Sequence, residues 1–108
     1  MGGLTWTEPA LGDLDAIADY IALDKPDAAR ELVRRIFRHV EQLIEQPESG
    51  SKVPELRGLG YRQIVEPPCR VFYRFDGKQV FILHVLRGEM LLQKRKLVRR
   101  KKRPRRRG

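Results

Sequence analysis

The sequence predicts an α+β protein in which an N-terminal hairpin of two helices packs on one face of a small antiparallel β-sheet. Apolar residues recur at helical spacing in the first half of the chain. Three runs rich in β-branched and aromatic residues follow, separated by glycine or proline. The last sixteen residues are strongly basic. We therefore divide the chain into a domain over residues 1–92 and a basic C-terminal tail over residues 93–108.

The first half of the chain has the pattern of a helical hairpin. Residues 4–7 suit a short edge strand. Thr7 followed by Glu8 and Pro9 is typical of a helix start, where amides lack partners and the dipole is positive. Pro26 then begins a second helix, because proline is accepted at a first helical position. The connection is only a few residues long, so the two helices must run antiparallel. Their apolar stripes consist of Leu11, Leu14, Ile17, Ala18 and Ile21, and of Leu32, Val33, Ile36, Val40, Leu43 and Ile44.

The second half predicts a meandering antiparallel sheet with strands over residues 61–65, 70–75 and 79–85. The Asp76-Gly77 pair suits a two-residue type I′ turn, whose central positions both need a positive φ. This turn places Phe75 opposite Lys78 and Tyr73 opposite Val80. A short final helix is predicted over residues 88–97.

In that register the two faces of the sheet differ in chemistry, because side chains alternate along a strand. The face that packs on the helices carries Val71, Tyr73, Val80, Ile82 and Leu86. The other face carries Arg70, Arg74 and Arg87 beside Phe72, Phe81, Leu83 and Val85, and Arg62 joins it from the neighbouring strand. Guanidinium groups so arranged suit phosphate or carboxylate contacts. The alternative is a solvated face on which arginine stems cover aromatic rings.

The formal charge of +9 is located in the tail. Residues 94–107 contain eleven Lys or Arg and no acid, whereas residues 1–93 carry twelve cations against fourteen anions. Such a tail suits nucleic acid, an acidic partner, or ordering only in a complex. We favour nucleic acid. The candidate contacts are Lys94, Arg95, Lys96, Arg99, Arg100, Lys101, Lys102 and Arg103.

The remaining signals favour a soluble cytoplasmic protein without cofactor or metal. No apolar run reaches the roughly 20 residues that span a bilayer, and no signal-peptide pattern is present. Cys69 is the single cysteine, which agrees with a reducing compartment. No His, Cys or Asp cluster has metal-ligand spacing. His84 falls on the helix-facing side of the sheet, where a hydrogen-bonded core histidine is commoner than a catalyst.

Three stretches together resemble the ParE/RelE superfamily of bacterial type II toxins, and ParE more closely. They are ALGDLDAIADYIALDKPDAA, PELRGLGYRQIV and CRVFYRFDGKQVFILHVL, and the resemblance covers residues 4–92. It implies a helical hairpin on one side of a sheet and a basic groove on the other. It also implies a plasmid-stabilization type of toxin, held in a hetero-oligomer by a cognate ParD-like antitoxin. One departure is the order His84-Val85-Leu86-Arg87, where ParE members have a basic residue before Val-Leu-His.

The resemblance implies one of two activities. ParE members poison DNA gyrase, whereas RelE members cut messenger RNA on the ribosome. Arg62 matches a sheet lysine of the nucleases and Arg70 matches their following arginine, so Arg62, Arg70 and Arg87 are the candidates for charge stabilisation. However, the second sheet lysine falls on Ile64, and EMLLQKRK offers no Tyr or His as general base. The incomplete acid–base set favours a gyrase inhibitor that is not an enzyme.

The predicted partner-binding residues are Arg57, Arg62, Arg70, Arg74, Arg87, Leu91 and Leu92. Two alternatives remain beside the gyrase inhibitor. One is the ribosome-dependent mRNA endonuclease, and the other is a non-toxic interaction protein with a nucleic-acid-binding tail.

Overall fold

The computed structural model describes residues 2–56 and 58–88. Within them, two helices cover one face of a five-stranded sheet of order β1-β5-β4-β3-β2. Apart from Gly88, which is a turn residue with a φ of 59°, the short helix predicted over residues 88–97 and the basic tail lie outside the described residues. The elements are β1 (Gly3–Trp6), α1 (Glu8–Ala22), α2 (Pro26–Glu41), β2 (Ser51–Lys52), β3 (Tyr61–Glu66), β4 (Cys69–Phe75) and β5 (Gln79–Arg87), with 3₁₀ turns at Gln42–Ile44 and Pro54–Leu56.

The helical hairpin forms as predicted. The Thr7 hydroxyl oxygen caps α1 by accepting from the Ala10 amide at 3.3 Å. Pro26 is the first residue of α2. The buried residues of the two helices are Ala10, Leu14 and Ile17 in α1 and Ala29, Leu32, Ile36 and Val40 in α2. None of the described helices is long and apolar enough to cross a membrane.

The predicted α+β architecture is confirmed, although the sheet is mixed. β1 pairs with β5 in parallel, from Gly3 opposite Gln79 to Trp6 opposite Ile82. The other pairs are antiparallel. At the end of β1, the Thr7 amide and hydroxyl both donate to the Ile82 carbonyl, at 3.1 and 2.8 Å. The four residues of β1 carry no local signal for parallel or antiparallel pairing. Parallel pairing with β5 is possible because the chain between the two strands is long and includes the helical hairpin.

The register predicted for the β4–β5 hairpin is wrong. Phe75 pairs with Val80 rather than with Lys78, because the chain turns one residue later on each side. The Asp76 carboxylate accepts from the backbone amides of Lys78 and Gln79 at 2.9 and 2.8 Å. Only Gly77 in this turn has a positive φ, of 96°, so the type I′ turn is not formed. The side-chain hydrogen bonds of Asp76 set the turn instead.

A β-bulge changes the face of every residue near the end of β5. Tyr73 pairs with Ile82, but the preceding Phe72 pairs with His84, so Leu83 is an extra residue. Beyond the bulge, Val85 belongs to the helix-side core and Leu86 to the opposite cluster. The prediction had these two residues reversed, because a one-residue insertion inverts the alternation of side chains.

Both faces of the sheet bury apolar residues. The core between helices and sheet includes Val71, Tyr73, Val80, Ile82 and Val85. We call the opposite face the outer sheet face. It carries a second cluster of Tyr61, Phe72, Leu83 and Leu86, joined by Val53 and Leu56 from the segment between β2 and β3. The outer sheet face is therefore an apolar cluster partly covered by arginine side chains, not an open basic surface.

Candidate partner-binding surface

Arg70 lies on the outer sheet face and is held by three neighbours. Its Nε donates to Gln63 Oε1 at 2.9 Å, and one terminal nitrogen lies 3.3 Å from the Glu55 carboxylate. The guanidinium carbon lies 4.8 Å from the centre of the Phe72 ring. The side chain is thus pre-positioned over an aromatic ring with a carboxylate already bound to it, which is the geometry for an acidic group.

Arg74 lies on the same face, opposite Tyr61 and Phe81. Its guanidinium carbon lies 5.0 Å from the Phe81 ring centre. Among the described residues, Arg74 Nε is a buried nitrogen without a hydrogen-bond partner. Burial raises the pKa of Tyr61, and the positive charge of Arg74 partly opposes this shift. Arg74 thus differs from Arg70, whose Nε donates to Gln63.

The predicted grouping of four arginines on one face is wrong. Arg62 pairs with Tyr73 on the helix side, and its terminal nitrogen donates to the Gly50 carbonyl at 2.7 Å. Arg87 pairs with Cys69, and its guanidinium lies 4.6 Å from the ring centre of Tyr20 in α1. Arg62 faces the helices because of the register between β3 and β4, and Arg87 faces them because of the bulge in β5. Of these four arginines, Arg70 and Arg74 lie on the outer sheet face.

A groove with a volume of about 660 Å³ lies where β3 begins, beside the segment between β2 and β3. Tyr61 and Arg62 line it from β3 and Phe75 lines it from β4. Its other walls include Lys52, Glu48, Pro54 and Gly58. The lining combines aromatic rings with both signs of charge, which suits a peptide segment. Of the predicted binding residues, Arg57, Leu91, Leu92 and the tail candidates lie outside the described residues.

The histidines are engaged in structural contacts. His84 is buried, and its Nδ1 is hydrogen-bonded with the Asp13 carboxylate. His39 contacts Glu66 at 3.0 Å, and Glu66 also accepts from Arg35 at 3.0 Å. His84 is hydrogen-bonded as expected, but the prediction that it faces the helices is wrong. The β5 bulge places it opposite Phe72 on the outer sheet face, with the two ring centres 6.1 Å apart.

Cys69 is fully buried at the start of β4. Burial raises the pKa of its thiol, which disfavours the reactive thiolate. Within the described part of the chain, no three His, Cys, Asp or Glu side chains come together as metal ligands.

Sequence reasoning missed the partners of these groups. Glu55 and Gln63 bind Arg70 from fifteen and seven residues away. Asp13 binds His84 across seventy-one residues. Pairs so far apart in the chain leave no local sequence pattern. Asp13, for example, is one of several acids along α1 whose spacing predicts exposure to solvent.

The fold, with a helical hairpin on a five-stranded mixed sheet and arginines over a second apolar cluster, has known relatives. The profile of the family described as "ParE toxin of type II toxin-antitoxin system, parDE" matches residues 4–92. The chain belongs to this family of toxins.

Individual relatives agree with the family. The chain is 36% identical over 89 residues to "Toxin RelE2" of Caulobacter vibrioides, covering 81% of this chain and 92% of the relative. It is 33% identical over 93 residues to "Toxin ParE3" of the same organism, covering 85% and 92%. It is 49% identical over 85 residues to "Putative toxin Y4kP" of Sinorhizobium fredii, covering 77% and 84%.

A solved structure shares the fold. The structure titled "Chromosomal ParDE TA system from P. aeruginosa" matches with a TM-score of 0.67 and 33% identity, covering 82% of this chain and 98% of that chain. The chain is therefore a type II toxin of the ParE/RelE superfamily, and membership implies an antitoxin partner. The names of its relatives come from both the RelE and the ParE branch.

Proposed function

We propose that this toxin inhibits DNA gyrase by binding, in the cytoplasm, and that a ParD-like antitoxin neutralises it in a hetero-oligomer. One observation carries the choice of binding over RNA cleavage. The arginines that a nuclease mechanism would recruit stand on opposite faces of the sheet: Arg70 on the outer face, Arg62 and Arg87 on the helix side.

Cleavage of RNA through the 2′-hydroxyl needs a base, an acid and cations around one phosphate. His84 shares the outer sheet face with Arg70, its ring 6.1 Å from the Phe72 ring, but its Nδ1 is bound to the Asp13 carboxylate. His39 is bound to Glu66, which pairs with Cys69 at the far end of β3. Tyr61 lies near Arg74, but burial raises its pKa, so it stays protonated at neutral pH and is a poor base. The described side chains therefore support a binding surface better than a nuclease site.

The proposed contact surface combines Arg70 and Arg74 with the groove beside Tyr61. Arginine over an aromatic ring is a common anchor of protein interfaces, because it offers both a charge and a flat apolar face. Antitoxin and gyrase would compete for this surface, which explains neutralisation by simple occupation.

The test is supercoiling of relaxed plasmid by purified gyrase with increasing toxin. We expect inhibition by the full chain, and loss of inhibition for the double variant Arg70→Ala/Arg74→Ala with an unchanged circular dichroism spectrum. Undiminished supercoiling at saturating toxin would contradict the proposal.

The second candidate is a ribosome-dependent mRNA endonuclease, which the 36% identity to the relative named RelE2 favours. Translating ribosomes incubated with the toxin would then carry messenger RNA cut in the decoding site. Loss of that cutting in Arg70→Ala would identify the site. A third candidate, a toxin fold without toxicity, requires that the chain accumulates harmlessly when expressed without antitoxin.

We propose for the tail a separate role as a nucleic-acid-binding arm. Residues 94–107 carry eleven cations and follow the end of the family match at residue 92. Binding of this kind is electrostatic and independent of base sequence. It would keep the toxin near DNA.

A further inference from the structure

The solvent-facing side of the helical hairpin carries an apolar seam. A shallow groove with a volume of about 420 Å³ lies between α1 and α2, lined by Ala18, Ala22, Ala29, Val33 and Pro26. The same helical stripes continue to Leu11 and Phe37, whose exposed fractions are 39% and 36%. We call this surface, from Leu11 and Phe37 to Ala22 and Pro26, the hairpin seam.

The two rims of the hairpin seam carry opposite charges. Asp15 and Asp19 stand exposed on α1, and Arg30 and Arg34 stand exposed on α2. The arginines contact acids of their own helix, Asp27 and Glu31, at three-residue spacing. Such exposed pairs within one helix contribute little to stability, so both arginines can still pair with a second partner.

We infer that the hairpin seam binds the hairpin seam of a second copy of this chain. α1 and α2 are antiparallel neighbours, with Asp19 and Arg30 both at the groove. A two-fold axis parallel to the helices places α1 of one copy on α2 of the other at the same height. Asp19 then faces Arg30 of the second copy, and Asp15, one turn earlier, faces Arg34, one turn later.

The charges on the two rims indicate which partner fits the hairpin seam. An acidic helix from another protein would match only the arginine rim, and a basic helix only the aspartate rim. A second copy matches both rims at once, because the acid rim and the basic rim exchange places under the two-fold rotation. The small alanines between the rims allow the helices to approach closely.

The contact area limits the strength of the dimer. A helix of fifteen residues is about 22 Å long and two packed helices are about 20 Å wide, giving about 440 Å² per copy. Stable complexes bury about 800 Å² per partner. The dimer is therefore weak and depends on concentration, and it leaves the outer sheet face accessible. The inference does not depend on which target the toxin has.

Sedimentation velocity of the purified full chain between about 1 and 200 µM tests the dimer, since weak association is visible in this range. We expect a monomer–dimer equilibrium. Arg34→Glu and Asp15→Arg should each weaken the dimer about tenfold or more, because each places like charges across the two-fold axis. The double variant Asp15→Arg/Arg34→Glu should restore it, since the pair is re-formed with exchanged charges. Lys78→Glu, a matched charge reversal in the exposed β4–β5 turn, should have no effect.

Thermal unfolding of each variant separates loss of the dimer from loss of the fold. A chain that stays monomeric at the highest concentration while folded overturns the inference. So does a double variant that remains monomeric. If the single variants instead weaken binding of the antitoxin while the toxin alone is monomeric, the hairpin seam belongs to that partner and the inference is wrong.

Discussion

The Asp13 carboxylate in α1 joins the helix to the bulge of β5 through His84. Its Oδ2 lies 2.5 Å from His84 Nδ1 and accepts from the Val85 backbone amide at 3.0 Å. Strand β1 ends opposite Ile82, so within residues 2–56 and 58–88 no strand pairs with this edge of β5 beyond that point. There the Asp13 carboxylate accepts the hydrogen bond of the Val85 amide that a neighbouring strand would otherwise accept.

Replacing Asp13 by alanine should destabilise the fold. The Val85 amide and the His84 ring lose the acceptor that Asp13 supplies, and a half-buried polar group without its partner costs about 1–3 kcal/mol. Urea unfolding followed by tryptophan fluorescence measures this. Asp24→Ala, at an exposed aspartate after α1, should change the free energy of unfolding by less than about 0.5 kcal/mol. Equal stability of the two variants would contradict the role of Asp13.

Tyr73 binds the loop that precedes β2. Its hydroxyl donates to the Pro47 carbonyl at 2.8 Å and accepts from the Gly50 amide at 2.9 Å. Tyr73→Phe should lower the free energy of unfolding by about 1–3 kcal/mol, because the buried Gly50 amide loses its acceptor. Gly50→Ala should also destabilise, since a Cβ there would lie 2.6 Å from the Tyr73 hydroxyl. A tyrosine variant as stable as the parent would show that water replaces the hydroxyl.

Stability should fall at alkaline pH partly through Tyr73. Burial raises the pKa of this phenol above its ordinary value of 10.0, with the Gly50 amide and Arg62 partly opposing the shift. Above pH 10.0 the unfolded chain releases the phenol proton before the folded chain does. The contribution of the protonated Tyr73 to the free energy of unfolding is therefore complete below pH 10.0 and is lost as the pH rises through the raised pKa of the folded state. Urea midpoints between about pH 8 and 11 should therefore decline less steeply in Tyr73→Phe than in the parent chain. Parallel declines would exclude a contribution from Tyr73.

The two faces of the sheet should respond differently to loss of an arginine. Arg74→Ala should weaken gyrase inhibition about tenfold, equivalent to about 1.4 kcal/mol of binding free energy, because it removes a charge from the outer sheet face. Arg87→Ala removes the same charge from the helix side, where it contacts Tyr20, and should change inhibition by less than about twofold. Dose–response curves in the supercoiling assay compare them. A larger effect from Arg87 would move the contact surface to the helix side.

Truncation after Gln93 should remove nucleic-acid binding without unfolding the domain. If about eight of the tail cations contact phosphates, the logarithm of the affinity for duplex DNA should fall with the logarithm of salt concentration with a slope of about −7. Fluorescence anisotropy with a labelled duplex measures the slope before and after truncation. Retention of a steep slope by the truncated chain would place the binding site in residues 1–93.

The helices illustrate what local sequence specifies. The Thr7 cap, Pro26 at the start of α2 and the apolar stripes are all signals within one or two helical turns, and each helix begins where they indicate. Strands β1, β3, β4 and β5 and the α+β class were predictable for the same reason, since alternation and glycine or proline breaks are local; the two-residue strand β2 was not predicted. The resemblance in the three quoted stretches was sufficient to indicate the toxin superfamily.

The arrangement of the arginines depended on long-range contacts. Simple alternation predicted four arginines on one face of the sheet, but two lie on each face. The register of β3 moves Arg62, and a bulge at Leu83, for which the sequence has no local pattern, moves Arg87. The bulge is stabilised by Asp13, which is about seventy residues away in the chain. By itself the sequence determined the elements and the family, through short-range periodicity. The tertiary structure decided which side chains share a face, because one inserted residue in a strand reverses every position after it.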